Sequence, residues 1–193
     1  MGRPVKKPAT YEDLVRVPEP LVAEIVDGEL YASPRPAIAH ALATSALSGE
    51  ISGPFQRGRG GPGGWWILYE PELHLGGDIL VPDLAGWRRD RLPTLPKAAA
   101  FEIAPDWICE VLSPATARLD RARKLPAYAR ENVRHAWLID PTARTVEVLA
   151  LDQGSWKLLI ACGDDDLVRL PPFDAIELDI LALWGETRPS APG

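Results

Sequence analysis

The chain lacks the features that mark secreted and membrane-bound proteins. Its 2 cysteines, Cys109 and Cys162, form no Cys-x-x-Cys pair, which excludes a disulfide scaffold and favours a reducing cytoplasm. No apolar run approaches the roughly 20 residues that span a bilayer, and no apolar stretch follows the basic N-terminus as it does in signal peptides. We therefore expect a cytoplasmic protein that does not associate with a membrane.

An excess of basic residues is also missing. The 27 acidic side chains outnumber the 21 basic ones, which gives a net charge of −6 and argues against a dedicated DNA-binding module. An enzyme that acts on nucleic acid through a local patch is still compatible with this charge. The candidate contacts for such a patch are Arg57, Arg59, Arg88 and Arg118. The alternative is that these arginines belong to an ordinary solvated surface.

Common phosphate-binding and zinc-binding motifs are absent as well. The glycine-rich stretch 58–64 contains neither a Gly-Lys-Ser/Thr ending nor a Gly-x-Gly-x-x-Gly frame that enters a helix. His74 and His135 have no histidine or cysteine at ligand spacing, so a zinc site is not expected. No serine–histidine pair stands at a nucleophile elbow.

What the chain does have is the pattern of a mixed α/β fold without repeats, and 193 residues suit a single domain. Thr10 to Asp13 has the pattern of a capped helix start, and Asp27-Gly28 is typical of a hairpin turn. The predicted longer helices are 36–51, which a proline opens, and 116–131, and a short terminal helix is predicted at 179–184. The predicted strands are 21–26, 29–32, 65–75, 79–87, 106–112, 135–140, 145–151 and 156–161, and the predicted loops are 53–64 and 91–105.

Two predicted strands each carry one acid inside an apolar run. Asp83 lies in 79–87 and Glu110 lies in 106–112. An unpaired ionised carboxylate in a buried strand is costly, so such an acid normally has a metal ion, a base or a donor network as its partner. Cys109, next to Glu110, points to the opposite face of the strand and is predicted to be a small core residue.

The helix that follows the second acid carries a polar stripe. Thr116, Asp120, Lys124 and Tyr128 recur every four residues, so they share one face of the helix. The alternative for Asp120 and Lys124 is a surface ion pair at i, i+4. Pro126 removes one helix hydrogen bond and predicts a kink next to Lys124.

Asp83, Glu110 and Lys124 together predict a divalent-metal site. Mg²⁺ prefers hard oxygen ligands and is usually held by one or two carboxylates. We expect Mg²⁺ or Mn²⁺ on Asp83, Glu110 and the peptide carbonyl of Val111, with Lys124 at the rim of the same cleft. The metal would polarise a scissile phosphate, and Lys124 would orient the attacking water or stabilise the developing charge.

These residues also carry a resemblance to known proteins. Pro82-Asp83 followed by Glu110 on the next strand resembles the PD-(D/E)XK nuclease superfamily. A narrower resemblance, from about residue 8 to 184, is to the Uma-type family of restriction endonucleases, long catalogued as a domain of unknown function. The segments that carry it are Thr10 to Leu14, Glu24 to Leu30, Glu110 to Thr116, Asp120, Lys124 to Pro126, Tyr128-Ala129 and Trp137 to Pro141.

This resemblance implies a fold and an activity. The implied fold is a restriction-endonuclease-like core, a mixed central β-sheet flanked by helices, as a single nuclease-like domain at 8–184. Residues 1–7 and 187–193 are then flexible tails. The implied activity is a metal-dependent endonuclease that hydrolyses DNA phosphodiester bonds with Mg²⁺ or Mn²⁺.

The resemblance also assigns roles to single residues. Asp83 and Glu110 match the two acids of the superfamily, but the expected lysine two positions after Glu110 is Leu112. The resemblance suggests that Lys124 has taken the role of that lysine. Glu24 matches an auxiliary acid of the family.

Further auxiliary candidates come from their positions in the chain. Asp120 lies on the polar stripe, and Glu70 could reach the site from a neighbouring strand. His40 lies in an alanine-rich helix, where the alternative is a surface or hydrogen-bonded core histidine. Their roles stay open at this point.

Three functions fit the sequence. The first is the DNA endonuclease, the second is a weak or inactive nuclease-fold module for binding or assembly, and the third is a hydrolase of another phosphate ester. For the endonuclease we expect a homodimer, because two sites related by a two-fold axis can cut both strands of a duplex. The tryptophan-bearing C-terminal strands are the expected source of the apolar contact.

Overall fold

The structure, a computed structural model, describes residues 7–34 and 37–188. Its strands are β1 (Val22–Val26), β2 (Glu29–Ser33), β3 (Trp65–Tyr69), β4 (Leu73–Leu75), β5 (Asp78–Leu80), β6 (Leu84–Arg88), β7 (Trp107–Val111), β8 (His135–Asp140), β9 (Thr145–Asp152), β10 (Ser155–Gly163), β11 (Leu167–Val168) and β12 (Leu178–Asp179). Its α-helices are α1 (Tyr11–Val15), α2 (Ile38–Ile51), α3 (Ala117–Leu119) and α4 (Leu125–Arg130). Ser52–Gln56 and Asp120–Lys124 are π-helical, and Ile180–Trp184 is a 3-10 helix.

A six-stranded mixed sheet forms the centre of the fold. Its strand order is β10-β9-β8-β7-β6-β3. The pair β7–β8 is parallel, and the other neighbours are antiparallel. This architecture, with helices packed on the sheet, confirms the predicted fold class.

Alternating side chains of the central strands fill two hydrophobic clusters, one on each face of the sheet. Along β7, Trp107, Cys109 and Val111 belong to the cluster that α2 covers, whereas Ile108 belongs to the cluster that α4 covers. This alternation follows from the two-residue period of a strand. Cys109 is fully buried, as predicted, and faces away from its neighbour Glu110.

The predicted strands 65–75 and 79–87 are the two arms of one bent hairpin. Each arm breaks into two strands at a proline, Pro71 or Pro82, because proline cannot donate a ladder hydrogen bond. The register continues across the bend, since Tyr69 pairs with Leu84 and Leu73 pairs with Leu80. On one side of the bend, β3 and β6 join the central sheet. On the other side, β4 and β5 join a second sheet of order β2-β1-β5-β4.

The bend corrects the prediction for Asp83. This residue does not lie inside a strand but just after Pro82, immediately before β6. The two sheets meet there, so a side chain at this point stands beside residues of both.

The N-terminal elements agree with their sequence signals. Thr10 caps α1, and Thr10 and Asp13 form a reciprocal capping box. Strands β1 and β2 pair antiparallel around Asp27-Gly28, whose φ angles of 52° and 74° lie in the left-handed region that this turn requires.

Two helical regions each contain a π-helical segment. The predicted loop 53–64 is wrong at 53–56, because the π-helical segment Ser52–Gln56 extends α2. The predicted helix 116–131 is helical from Ala117 to Arg130, but its middle, Asp120–Lys124, is π-helical. Pro126 lies just after this segment, in the first turn of α4.

The remaining predictions concern the ends of elements and of the chain. The predicted opening of helix 36–51 by Pro36 lies outside the described residues, and so does most of both predicted tails. Within the described part, Arg188 donates to Asp179 at 3.0 Å. None of the helices within residues 7–34 and 37–188 is long and apolar enough to cross a membrane.

Candidate active site

A cavity of about 60 Å³ opens where the two sheets meet the π-helical segment Asp120–Lys124. Carboxylates dominate its lining. The predicted catalytic, metal-binding and auxiliary residues that line it are Glu24, His40, Glu70, Asp83, Glu110, Val111, Asp120 and Lys124. The fold therefore brings together every residue predicted for the catalytic, metal and auxiliary roles.

Asp83 and Glu110 face each other across the pair β6–β7. Leu84 pairs with Cys109, so the antiparallel register puts Asp83 opposite Glu110. The Oδ2 atom of Asp83 accepts the N–H of Val111 at 2.6 Å, which fixes the carboxylate beside the strand. Opposed residues of an antiparallel pair project to the same side, and both carboxylates line the cavity.

His40 holds the second oxygen of Asp83. Its Nε2 lies 3.1 Å from Oδ1 of Asp83, and the imidazole is buried. The hydroxyl of Thr44, one turn further along α2, donates to the carbonyl of His40 at 2.9 Å and lies 3.5 Å from Nδ1. His40 is thus a buried part of the site and not a surface residue of α2.

Lys124 lies at the floor of the cavity, not at its rim, and its side chain is 3% exposed. Its Nζ lies 2.8 Å from Oε1 of Glu110 and 2.9 Å from Oε1 of Glu24. It donates to the carbonyl of Val81 at 3.3 Å and lies 3.7 Å from Asp120. The pair of Asp120 with Lys124 is therefore buried, and the surface alternative is wrong.

Glu24 reaches Lys124 from the second sheet. The residue lies in β1, and its Oε1 also accepts the N–H of Val81 at 2.8 Å. The N–H and the carbonyl of Val81 thus both bond to site residues, and no sequence pattern predicts these contacts. Glu70 stands at the bend of the hairpin, and its N–H donates to the carbonyl of Asp83 at 3.1 Å.

Tyr128 is a site residue that we did not predict as one. Its hydroxyl donates to Oε1 of Glu110 at 2.7 Å, the same oxygen that contacts Lys124. The signal was its place on the polar stripe, four residues after Lys124. Four residues make slightly more than one turn of an α-helix but less than one turn of a π-helix. The π-helical segment therefore rotates the stripe back, so that Tyr128 stays on the same face as Lys124.

Burial governs the proton equilibria of the site. Desolvation raises the pKa of Glu110 well above its ordinary value despite the attraction of Lys124. Burial acts to lower the pKa of Lys124, but the carboxylates of Glu110 and Glu24 outweigh it and raise that pKa well above its usual range. Burial raises the pKa of Asp120 to about 6, and burial and Glu110 raise the pKa of Tyr128.

The donor set suits a hard divalent cation. Lys124 is the permanently cationic group among the described lining residues, against the carboxylates of Glu24, Asp83, Glu110 and Asp120. No group of three or more His, Cys, Asp or Glu residues arranged to hold a metal occurs in the described part of the chain. Mg²⁺ commonly uses only one or two protein carboxylates, so the facing pair Asp83 and Glu110 fits such an ion.

The four predicted arginine contacts separate into two places. Arg88 ends β6 opposite Trp65, at the other end of the strand from Asp83, and its side chain donates to Asp90. Arg57 and Arg59 follow the π-helical segment Ser52–Gln56, which packs near that same end, and are exposed. Arg118 lies on α3 and lines a groove beside the cavity. Arg118, and not the other three, lines a groove that shares the residue Ser33 with the cavity.

The chain is similar to known proteins in sequence and in fold. The model of the Uma2 family, described as "Putative restriction endonuclease", matches residues 8–181. One similar solved structure is the crystal structure of "a putative nuclease belonging to DUF820 from Anabaena variabilis ATCC 29413". It is 25% identical with a TM-score of 0.73, and the match covers 92% of this chain and 98% of that one. A search of curated proteins finds no match.

Proposed function

Because the chain belongs to the Uma2 family, described as "Putative restriction endonuclease", we propose that it is a divalent-metal-dependent endonuclease that hydrolyses DNA phosphodiester bonds. The observation that carries the proposal is the convergence of Asp83, Glu110 and Lys124 on one cavity. A match to a solved structure described as "a putative nuclease" supports the same reaction class.

Asp83 and Glu110 would hold Mg²⁺ or Mn²⁺, and the carbonyl of Val111 is the proposed third ligand. When bound, such an ion polarises a phosphoryl oxygen and lowers the pKa of a water molecule. The two carboxylates stand opposite each other, and the N–H of Val111 already orients that of Asp83. Two carboxylates with hard oxygens are what a magnesium site between protein and phosphate normally uses.

Lys124 supplies the positive charge of the site. Its pKa is raised by the surrounding carboxylates, so the amine stays protonated and acts as a hydrogen-bond donor and not as a base. From its place beside Glu110 it can orient the attacking water and stabilise the charge that develops on the phosphate. Glu24 and Tyr128 hold Lys124 and Glu110 in place.

His40 is proposed as a positioning residue for Asp83. Its Nε2 contacts Oδ1 of that carboxylate, and the N–H of Val111 donates to Oδ2. A carboxylate held at both oxygens keeps one orientation, as a ligand to a catalytic ion requires.

We further propose that the active form is a homodimer in a reducing, cytoplasmic compartment. The expected source of the apolar contact is the tryptophan-bearing C-terminal strands, and β10, which carries Trp156, is one of them. Support comes from the edge strand β10, where Leu158 and Leu159 are 57% and 49% exposed.

The test is a nicking time course on supercoiled plasmid DNA with Mg²⁺ or Mn²⁺. We expect Asp83→Asn, Glu110→Gln and Lys124→Met each to lower the rate at least about 10²-fold. The exposed acid Glu12 provides the control Glu12→Gln, which should cleave like the wild type. Equal cleavage by the wild type and Asp83→Asn would identify a contaminating nuclease and reject the proposal.

One observation favours a second function, a nuclease-fold module that binds nucleic acid without cutting it. Both oxygens of Asp83 and Oε1 of Glu110 already have protein partners. Protein groups can therefore provide the hydrogen bonds of these carboxylates without a metal ion. Retained DNA binding without Mn²⁺ binding or cleavage would support this module. Cleavage of bis(p-nitrophenyl) phosphate but not of DNA would instead indicate a hydrolase of another phosphate ester.

A further inference from the structure

A groove with a volume of about 560 Å³ lies directly beside the acidic cavity. One wall is the strand β2, through Tyr31, Ala32 and Ser33, and the other is the helical segment that carries Arg118 and Arg123. Ser33 lines both the groove and the cavity. The two concave surfaces therefore adjoin at Ser33, and we refer to the larger one as the β2–α3 groove.

The charge of this groove is opposite to that of the cavity. Arg118 is exposed, and no acid lies within ion-pair distance of it in the part of the chain that the structure describes. Arg123 lies 3.7 Å from Asp27, but Arg130 binds the same carboxylate more closely, at 2.8 Å. Two guanidinium groups with weak or no internal pairing thus face one groove of a chain whose net charge is −6.

Another arginine of the same helical segment shows the contrast. Arg121 donates through both terminal nitrogens to Glu147, at 2.9 and 2.7 Å, and does not line the groove. Two alanines also line the groove: Ala122 lies between the two groove arginines in the chain, and Ala115 precedes Arg118. Their short side chains leave room for a ligand chain beside Arg118 and the weakly paired Arg123.

We infer that the β2–α3 groove binds the sugar–phosphate backbone of the DNA strand that enters the cavity, with Arg118 and Arg123 each on a phosphate. The choice of DNA as occupant rests on the proposed function, and the charge of the groove and its position beside the cavity support it. Arginine is suited to this contact because its planar guanidinium group can pair with two phosphate oxygens at once. The contact is to the backbone, so it adds affinity and position but no sequence preference.

The test measures binding without cleavage. The wild type, Arg118→Ala, Arg123→Ala and the double variant are titrated against fluorescein-labelled 20-nucleotide single-stranded and duplex DNA, with Ca²⁺ in place of Mg²⁺ and Mn²⁺. Each substitution should weaken binding roughly five- to tenfold at 0.1 M salt and flatten the slope of log K against log salt by about 0.7 to 0.9. Arg118→Lys should keep the salt slope, because it keeps the charge.

A matched control removes one equal charge elsewhere. Arg169 is an exposed arginine that lines neither the groove nor the cavity and was never a candidate DNA contact, so Arg169→Ala should leave affinity and slope unchanged. Equal losses of affinity in Arg169→Ala and Arg118→Ala, or no DNA binding by the wild type, would contradict the proposed role of the groove. The proposed function is tested separately. If the wild type binds DNA through Arg118 but never nicks it, the groove's role in DNA binding is supported and the endonuclease activity is rejected.

Discussion

The amine of Lys124 lies 2.8 Å from Oε1 of Glu110, deep in the protein, with both side chains 3% exposed. The two residues belong to consecutive elements, β7 and the helical region that follows it. A nuclease site of the resembled type needs a lysine beside its second acid, and the position two residues after Glu110 holds the buried core residue Leu112. The π-helical segment delivers a lysine to that acid by another route.

Replacing Lys124 by a neutral residue should lower the free energy of unfolding. In Lys124→Met, Glu24 and Glu110 lose their cation, and an uncompensated buried charge costs about 3–5 kcal/mol of unfolding free energy. Urea denaturation followed by circular dichroism measures this loss. The loss should be larger at pH 8 than at pH 5, because buried acids can take up protons at the lower pH and escape the penalty.

The matched control is Lys157→Met, which breaks an exposed pair with Asp152 and should change stability little. The double variant Lys124→Met/Glu110→Gln should recover part of the lost stability. A Lys124→Met protein as stable as the wild type at pH 8 would show that the amine does not compensate the two carboxylates.

The bond between Tyr128 and Glu110 gives a second prediction. Tyr128→Phe removes a buried donor from a carboxylate that burial already disfavours, so unfolding free energy should fall by about 1.5–3 kcal/mol. Tyr11 also donates to a glutamate, Glu72 at 3.2 Å, but it is 46% exposed. Tyr11→Phe is therefore the control, and equal losses in the two variants, measured in urea, would argue against a special role for the buried bond.

Asp120 gives a prediction about pH. Its pKa is raised from 3.8 to about 6, so the folded state binds a proton more tightly than the unfolded state does. The associated stability is fully present below about pH 4 and is lost as the pH rises through 6. The neutral, similarly sized replacement Asp120→Asn should raise stability on the order of 3 kcal/mol above pH 7, and by little below pH 4.

Thermal or urea unfolding from pH 3.5 to 8 in the presence of a chelator measures this effect. The chelator matters because a bound cation would favour the ionised acid and hide the gain. A stability difference between Asp120→Asn and the wild type that does not vary with pH would contradict the raised pKa.

The last prediction concerns metal binding. Asp83→Asn and Glu110→Gln should each abolish the binding of Mn²⁺ in calorimetric titrations, because each removes one charged ligand of a two-carboxylate site. Both changes preserve side-chain volume, and the amide oxygen introduced by Asp83→Asn could still accept the N–H of Val111. Glu70→Gln, at the mouth of the same cavity, serves as the comparison and should lower the affinity less. Equal Mn²⁺ affinity in the wild type and both ligand variants would exclude the proposed site.

Sequence alone determined much about this protein where local physics governs. The Asp27-Gly28 turn, the cap at Thr10 and the strands β7 to β10 follow from turn chemistry, capping and alternating side chains, which are properties of short segments. The acid Glu110 was identifiable because a carboxylate in an apolar strand demands a partner. Sequence motifs likewise predicted membership of the Uma2 family, and the family model confirms it.

Other features were decided by the tertiary structure. The bend at Pro71 and Pro82 sends the two arms of one hairpin into two sheets, and this division depends on which strands are available to pair. It moves Asp83 out of its predicted strand and brings Glu24 of the second sheet to Lys124. The depth of Lys124 and the bond from Tyr128 to Glu110 depend on how a helix packs on a sheet, a contact between segments that no single segment encodes.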